Sequence, residues 1–421
     1  MQNFKHLFIG LLSLTALSVS SVVQASQTVP AISPENSQGS LKPYPAPESL
    51  NQYPDSLTPM FINHVGRHGA RYPAGPAHTV GLMKLLEQAD SLNTITPLGR
   101  ELKEVTAEVI RQSTGRWGAL DSLGMAEQSG IAHRMVKTFP GLFKNNCINA
   151  ISSYSPRSMM SMFSFVHEID RLESTVEITT LTGRVTSPLM RFFDINKSYL
   201  AFRDNKTWEP PYEAYIKSAI PLEPIRRVLG DGFPFKNDAA ARDAALLEYY
   251  VLAGMSAMSL PCDVSRFLTD SEFASLWSCF NLRQYLQRTS TTVSTIPADI
   301  ASPLLTELIT STDRFIQHQS GATAQLRFGH AETLMPLLSL MKLPGCYYMS
   351  SDFSSVAQYW QDFYVVPMAA NLQMILFQAK ESGNYYVVTL LNEHPVSLIP
   401  GNDSTIVSWN DARDYLLRCL R

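Results

Sequence analysis

The spacing of apolar residues predicts strands toward both ends of the chain and helices between them. Apolar runs at 60–65, 147–154, 185–193 and 324–328 favour buried strands. Segments 372–378 and 385–391, joined by a Glu-Ser-Gly-Asn turn, predict a hairpin. Thr96 and Pro97 suit the first positions of a helix, and helical periodicity also covers 125–139, 239–258 and 271–288.

The order of these elements predicts the fold class. Strands and helices alternate at both ends, and residues 196–300 give almost only helical signals. We therefore predict an α/β protein, in which a mixed sheet flanked by helices is interrupted by an inserted α-helical cap. The core would comprise residues 26–195 and 301–421, and the cap residues 196–300. Within the core, the Ser-, Pro- and Gln-rich residues 26–59 predict an extended leader on the surface.

The first 25 residues have the pattern of a cleaved secretory signal. Lys5 precedes an apolar run at 7–23, and the small residues Val23 and Ala25 suit a cleavage site before Ser26. The alternative is an uncleaved membrane anchor, although five Ser and Thr residues make the run less apolar. We expect a protein exported to the periplasm or the exterior, with no stable membrane association after cleavage.

Composition limits the classes of partner. The chain has 421 residues, of which 45% are hydrophobic and 17% charged, so it can bury a large core. With 34 basic and 37 acidic residues the net charge is -3, so we expect no nucleic-acid partner. The five cysteines lack zinc-site spacing, and an oxidising compartment would allow a disulfide, for which we favour Cys262 with Cys279.

Three arginines and a histidine form candidate anion ligands at strand ends. Arg67, His68 and Arg71 follow the first strand in a Gly-flanked loop, and a guanidinium matches the oxygens of a phosphate. Arg157 follows the second strand where a helix begins, and free amides there also favour an anion. Ordinary salt bridges at the surface are the alternative for these arginines.

A second cluster follows the strand at 324–328. His330 and Glu332 stand two residues apart, so one could contact a substrate oxygen and the other the leaving group; a Glu that caps a helix is the alternative. His64 and His68 have the spacing of metal ligands on a helix, but Gly66 disfavours a helix there. We therefore expect no metal or cofactor, and a buried structural role for His64.

These motifs resemble those of a known family. Residues 67–73 are similar to the RHGxRxP signature of the histidine acid phosphatases, branch 2 of the histidine phosphatase superfamily. The triplet 330–332 resembles the His-Ala-Glu form of the multiple inositol polyphosphate phosphatases. Segments 191–194, 277–285 and 391–393 also resemble family segments, whereas Asp121 stands where the family has Thr. The resemblance implies a phosphoglycerate mutase-like core.

The resemblance also implies a mechanism. His68 would attack phosphorus and form a phosphohistidine, which water hydrolyses. Glu332 would protonate the leaving alkoxide, and the phosphoryl oxygens would be held by Arg67, Arg71, Arg157 and His330. Because nearby arginines disfavour the imidazolium form, we expect a neutral His68 and a protonated Glu332 in mild acid, and activity without a metal.

The implied substrate is an inositol polyphosphate such as phytate. We expect the protein to be a monomer. Its several dianionic groups need further basic side chains, and we expect one or two from the cap set Lys197, Arg203, Lys206, Lys217, Arg226 and Arg227. The alternatives are a broad-specificity acid phosphatase or sugar phosphatase on the same scaffold, and a phosphate-binding protein without turnover.

Overall fold

The computed structural model describes residues 32–421, and its centre is one mixed sheet. The strand order is β3-β2-β4-β1-β5-β6-β7, and β8 pairs with β6. The predicted signal peptide, residues 1–25, lies outside the described residues. The strands are β1 (Leu57–Arg67), β2 (Cys147–Ser152), β3 (Glu177–Leu181), β4 (Ala322–Gly329), β5 (Asn371–Ala379), β6 (Tyr385–Leu391), β7 (His394–Val396) and β8 (Ile406–Ser408).

Helices cover both faces of the sheet and fill the middle of the chain. In chain order they are α1 (Ala77–Ser91), α2 (Pro97–Ser113), α3 (Ser122–Thr138), α4 (Pro156–Leu172), α5 (Ser187–Met190), α6 (Phe192–Ile195), α7 (Lys197–Asp204), α8 (Glu209–Ala219), α9 (Glu223–Leu229), α10 (Asp238–Ala253), α11 (Asp270–Arg288), α12 (Ile296–Asp299), α13 (Ser302–Ile316), α14 (Ala331–Leu340), α15 (Val356–Tyr359), α16 (Asp362–Val365) and α17 (Trp409–Cys419).

The sheet is parallel on one side and antiparallel on the other. β1 pairs in parallel with β4, and β4 with β2, whereas β5 runs antiparallel to both β1 and β6. The inner strands are buried on both faces, as their continuous apolar runs predict. The predicted α/β class, a mixed sheet flanked by helices, is confirmed.

The predicted start of one helix is confirmed by its cap, and a second helix has a similar cap at Asp121. The Thr96 hydroxyl accepts the N–H of Gly99 at 3.0 Å at the start of α2. Asp121 caps α3 in the same way, since its Oδ1 accepts the N–H of Leu123 at 2.9 Å. The departure from the family pattern at Asp121 therefore preserves the helix start.

Three sequence predictions need correction. Residues 185–193 form short helices instead of a strand, because Pro188 at the start of α5 favours a helical turn, and the third strand is β3. Residues 26–59 are not wholly a surface leader, since Asn36–Leu41 form a 3₁₀ helix with Ser37 and Ser40 buried. Cys262 and Cys279 are both free; Cys279 instead lies within the core with its thiol on a helix carbonyl.

One hydrophobic cluster joins the sheet to the helices of residues 196–300. Phe61 and Val65 of β1 belong to the same buried cluster as Tyr249 of α10 and Trp277 of α11. The division into core and cap at 196 and 300 stays a prediction. Among residues 32–421, no helix combines the length and apolar character needed to cross a bilayer.

Candidate active site

The two sequence motifs meet because their strands are neighbours. β1 and β4 pair in parallel with Arg67 opposite Gly329, so His68 and His330 both follow the carboxyl end of the sheet. The His68 N–H donates to the carbonyl of Gly329 at 3.2 Å, and the two imidazole centroids lie 5.6 Å apart. The parallel pairing thus brings residues 262 positions apart into one site (330 − 68).

His68 is held in one neutral form. Its side chain is buried, and Nδ1 lies 2.9 Å from the carbonyl oxygen of Gly69. A carbonyl only accepts, so Nδ1 carries the proton and Nε2 keeps its lone pair. Burial and the charges of Arg157, Arg67 and Arg71 hold the pKa of His68 well below its ordinary value.

The loop arginines keep their charge in spite of burial. Nη1 of Arg67 donates to the carbonyls of Ser40 at 2.6 Å and Val366 at 2.5 Å. Nη1 of Arg71 donates to the carbonyl of Tyr72 at 2.8 Å. Burial lowers the pKa of Arg67 to about 10 and that of Arg71 to about 9, so both are cations in acid and at neutral pH. These anchors fix the guanidinium groups before any anion binds.

His330 is oriented by donors on its far nitrogen. Nη1 of Arg191 lies 2.8 Å from His330 Nε2, and Ser153 Oγ is also 2.8 Å away. A guanidinium only donates, so Nε2 accepts and the neutral ring carries its proton on Nδ1. Nη2 of Arg157 lies 3.4 Å from that Nδ1, so two donors face the same point. An anion placed there would accept from both.

The neighbouring cations favour the ionised form of Glu332, which corrects the expectation of a protonated carboxyl. Nη2 of Arg288 lies 3.1 Å from its Oε1. Burial raises the pKa of Glu332, but the charges of Arg288 and Arg67, together with a backbone hydrogen bond, outweigh burial and hold the pKa well below its usual range. Arg288 ends α11, more than 40 residues away in sequence, so the motif around 330–332 gave no sign of it.

A cavity of about 220 Å³ opens beside these groups. Of the basic residues that we proposed from the cap, Arg203 lines the cavity and also pairs with Asp204. Lys206, Arg226 and Arg227 pair with acidic side chains of the same region. The remaining lining residues are Arg157, Arg191, Phe193, Asp194, Tyr199, Gln287, Arg288, His330 and Glu332.

Sequence reasoning missed several members of the site. Arg191 stacks over the ring of Tyr154 with its carbon 4.7 Å from the centroid and pairs with Asp194. Glu127 of α3 accepts the backbone N–H groups of Tyr44 and Ala70, each at 2.7 Å. The Glu127 carboxylate therefore ties the signature loop to the N-terminal segment. Nothing in its local sequence distinguishes Glu127 from a solvated helix residue.

His64 has the structural role that we expected. Its ring lies in the core between Phe165 and Phe328, with centroids 5.1 and 5.2 Å away. Burial and the charge of Arg327 lower the pKa of His64 to about 3, so the ring is neutral. Within residues 32–421 no cluster of His, Cys, Asp or Glu has the arrangement of a metal site.

Comparison with known families agrees with this geometry. Residues 221–392 match the model of the histidine phosphatase superfamily (branch 2). This segment is similar to the branch 2 histidine phosphatases. The matched segment includes His330 and Glu332, and the loop with His68 precedes it in sequence and follows the neighbouring strand.

Relatives and structural neighbours match over most of the chain. Multiple inositol polyphosphate phosphatase 1 of Gallus gallus is 26% identical over 401 residues, which cover 89% of this chain and 84% of the relative. The Homo sapiens protein of the same name is 23% identical over 91% of this chain and 83% of the relative. The crystal structure of Bifidobacterium longum multiple inositol polyphosphate phosphatase with inositol hexasulfate has a TM-score of 0.78 at 18% identity, over 90% of this chain and 97% of that one.

Proposed function

We propose that the chain is a phosphatase that hydrolyses inositol polyphosphates through a phosphohistidine. The observation that carries the proposal is the state of His68, whose Nδ1 is committed to the Gly69 carbonyl and whose Nε2 stays unprotonated among arginines. A neutral imidazole with a free lone pair is the nucleophile that attack on phosphorus requires.

The reaction would proceed in two displacements. Nε2 of His68 forms a bond to phosphorus as the bond from phosphorus to the ester oxygen breaks, and Glu332 gives its proton to that oxygen. Water then attacks the phosphohistidine, Glu332 takes a proton from the water, and inorganic phosphate leaves with His68 neutral again. Proton and charge balance over the cycle, so no other reactant is needed.

Fixed positive charge would stabilise both displacements. Arg67, Arg71 and Arg157 surround the nucleophile, and His330 adds the N–H on its Nδ1. Guanidinium groups that are already anchored need no reorganisation as charge develops on the phosphoryl oxygens. In other phosphoryl-transfer enzymes Mg²⁺ has this task.

Glu332 would become protonated when the substrate binds. With no other anion beside it, the surrounding cations keep Glu332 ionised, so it cannot act as an acid. A bound phosphate dianion neutralises part of that positive charge, and an anion close to a carboxylate raises its pKa. The protonated Glu332 that we expected in mild acid therefore belongs to the substrate complex.

The cavity supports a substrate with several phosphate groups. Beyond the groups around His68 it presents the guanidinium groups of Arg191, Arg203 and Arg288. The relatives in Gallus gallus and Homo sapiens are named as inositol polyphosphate phosphatases. Beside a substrate with one phosphate these cations would keep only their protein partners Asp194, Asp204 and Glu332, whereas further phosphate groups could bind them, which favours a polyphosphate over a simple monoester. Export by the N-terminal signal is part of the same proposal.

Phosphate release from phytate by the purified protein tests this function. We expect turnover by the wild-type protein, a fall to background for His68→Ala, and wild-type rates for His167→Ala, which removes an exposed histidine of α4. Activity should persist in the presence of a chelator, because the arginine guanidinium groups would supply the positive charge that a metal ion supplies in other phosphoryl-transfer enzymes. Turnover of simple monoesters but not phytate would favour the broad-specificity alternative, and phosphate binding without turnover would favour a binding protein.

A further inference from the structure

Arg288 connects the helical region 196–300 with the carboxyl group of Glu332. Its Nη1 is held by two amide oxygens, Oε1 of Gln284 at 2.5 Å and Oε1 of Gln287 at 3.1 Å. Its Nη2 contacts Glu332 Oε1 at 3.1 Å, and the buried Nε has no hydrogen-bond partner among the described residues. One edge of the guanidinium is thus fixed by protein, while the other edge holds only Glu332.

The contact with Arg288 differs from the other charges around Glu332. The arginines of the phosphoryl site act on Glu332 from the sheet side, and a phosphate bound beside His68 would neutralise them. Arg288 reaches it from the end of α11, so that one phosphate would leave the Arg288 contact in place. The groups that act on the charge of Glu332 are Arg288, His330, Arg67, Arg71, Arg157 and Tyr199.

The free edge of Arg288 suits a second phosphate. Nε and Nη2 lie on the same side of a guanidinium and can donate together to two oxygens of a phosphate. Arg288 lines the cavity of about 220 Å³ beside Arg203 and Arg191. A dianion there would compete with the Glu332 carboxylate for Nη2, while Gln284 and Gln287 keep the guanidinium in position.

We propose that Arg288 is a positioning residue that makes the acid step depend on a second phosphate group of the substrate. The proposal rests on the proposed function. With a single phosphate, Arg288 stays on Glu332 and keeps it an ion. With a neighbouring phosphate, the Nε–Nη2 edge of Arg288 donates to that group instead, and Glu332 takes a proton from the acidic solvent and can pass it to the leaving oxygen. Selectivity for polyphosphates then arises in the chemical step as well as in binding.

The test compares three substrates over pH: phytate, myo-inositol monophosphate and 4-nitrophenyl phosphate. The last has a leaving group that needs little protonation, so it reports attack by His68 alone. For wild-type protein we expect the alkaline limb of the pH profile of kcat to lie at higher pH with phytate than with the monophosphate. Arg288→Gln should move the monophosphate limb up by about 1 pH unit or more, since it removes an opposite charge from the carboxyl.

The same variant should affect the other two substrates differently. Its kcat/KM for phytate should fall about tenfold or more, because a charge-assisted bond to phosphate is lost, and 4-nitrophenyl phosphate should change little. Arg288→Lys should restore part of the phytate activity. Arg203→Gln is the matched control: Arg203 lines the cavity without contacting Glu332, so it should weaken phytate turnover and leave the monophosphate limb unmoved.

Distinct outcomes separate the two proposals. Equal losses on all three substrates in Arg288→Gln, or identical alkaline limbs for phytate and monophosphate in wild-type protein, would overturn the role of Arg288. The wild-type comparison needs no variant, so it decides the matter even if Arg288→Gln fails to fold. Absence of phosphate release from every substrate by folded wild-type protein would instead refute the proposed function.

Discussion

Two glycines allow the signature loop to lie directly on α3. A Cβ on Gly69 would lie 2.6 Å from the Cα of Gly124, and a Cβ on Gly124 would lie 2.7 Å from the backbone nitrogen of Ala70. Each contact is with backbone, so no side-chain rotation can relieve it. This close approach positions the loop that carries His68, and it also lets Glu127 reach the Ala70 N–H.

Gly69→Ala should therefore reduce activity strongly. The added methyl group must push the loop away from α3 and displace His68, and a misplacement of about 1 Å costs about 100-fold in rate. Steady-state kinetics with phytate measure the effect. Gly75→Ala is the control, because a Cβ there has no neighbour within 4 Å. Equal kcat values for the two variants would contradict the claim that the contact with Gly124 sets the loop.

The helix α10 carries an acid that the proposed chemistry does not use. Both carboxyl oxygens of Glu248 are buried and have no hydrogen-bond partner within the described part of the chain. The nearby Arg227 is paired with Glu272 at 2.8 Å instead. Burial, opposed by Arg227 and aided by Glu272, raises the pKa of Glu248 from 4.5 to about 8. The folded protein therefore keeps this carboxyl neutral where the unfolded chain ionises it.

This acid should make stability depend on pH. Between pH 4.5 and about 8 the folded state holds a proton that the unfolded state has lost. The free energy of unfolding therefore falls as pH rises, by about 1.4 kcal/mol per unit from this group. Denaturant titrations across that range should show a smaller fall for Glu248→Gln, while Glu87→Gln, an exposed acid of α1, should follow the wild type. Parallel curves for all three proteins would refute a neutral Glu248.

Local signals predicted most elements, and the failures have identifiable causes. The strands β1, β4, β5 and β6 are largely apolar segments next to turn residues, and α2 begins at a recognisable cap, so the sequence around each suffices. Residues 185–193 are as apolar as a strand, yet they are helical because Pro188 and the packing of Phe192 decide the local conformation. The positions of Arg191 and Arg288 depend on how distant helices pack, which periodicity does not encode.

Asp362 joins three distant parts of the chain. Its carboxylate accepts the N–H of Ser40 and the indole N–H of Trp277, each at 2.9 Å, and its own N–H donates to Asn281 at 2.8 Å. The carbonyl oxygen of Ser40 in turn accepts a hydrogen bond from Nη1 of Arg67. The N-terminal segment, α11 and the signature loop are thus coupled through a carboxylate with no exposed surface.

We therefore expect the sheet and the helices of residues 196–300 to unfold together. Trp277→Phe keeps an aromatic ring but removes a donor from the buried carboxylate, which should cost about 1–3 kcal/mol. Trp208→Phe is the control, because the buried indole N–H of Trp208 has no partner among the described residues. Circular dichroism and tryptophan fluorescence in urea should give one shared transition, shifted further by Trp277→Phe. Two separate transitions would contradict the coupling.

Because these hydrogen bonds join residues that are far apart in the sequence, they affect when during synthesis the protein can become active. Ser40 and Asp362 are 322 positions apart, and Arg67 and Val366 are 299 apart. A nascent chain that has released only its signature loop has neither Val366 to anchor Arg67 nor Glu332 to act as an acid. Contacts between residues so far apart in sequence form late in folding, because closing the long loop between them costs conformational entropy. The proposed hydrolysis should thus begin only once almost the entire polypeptide has left the ribosome.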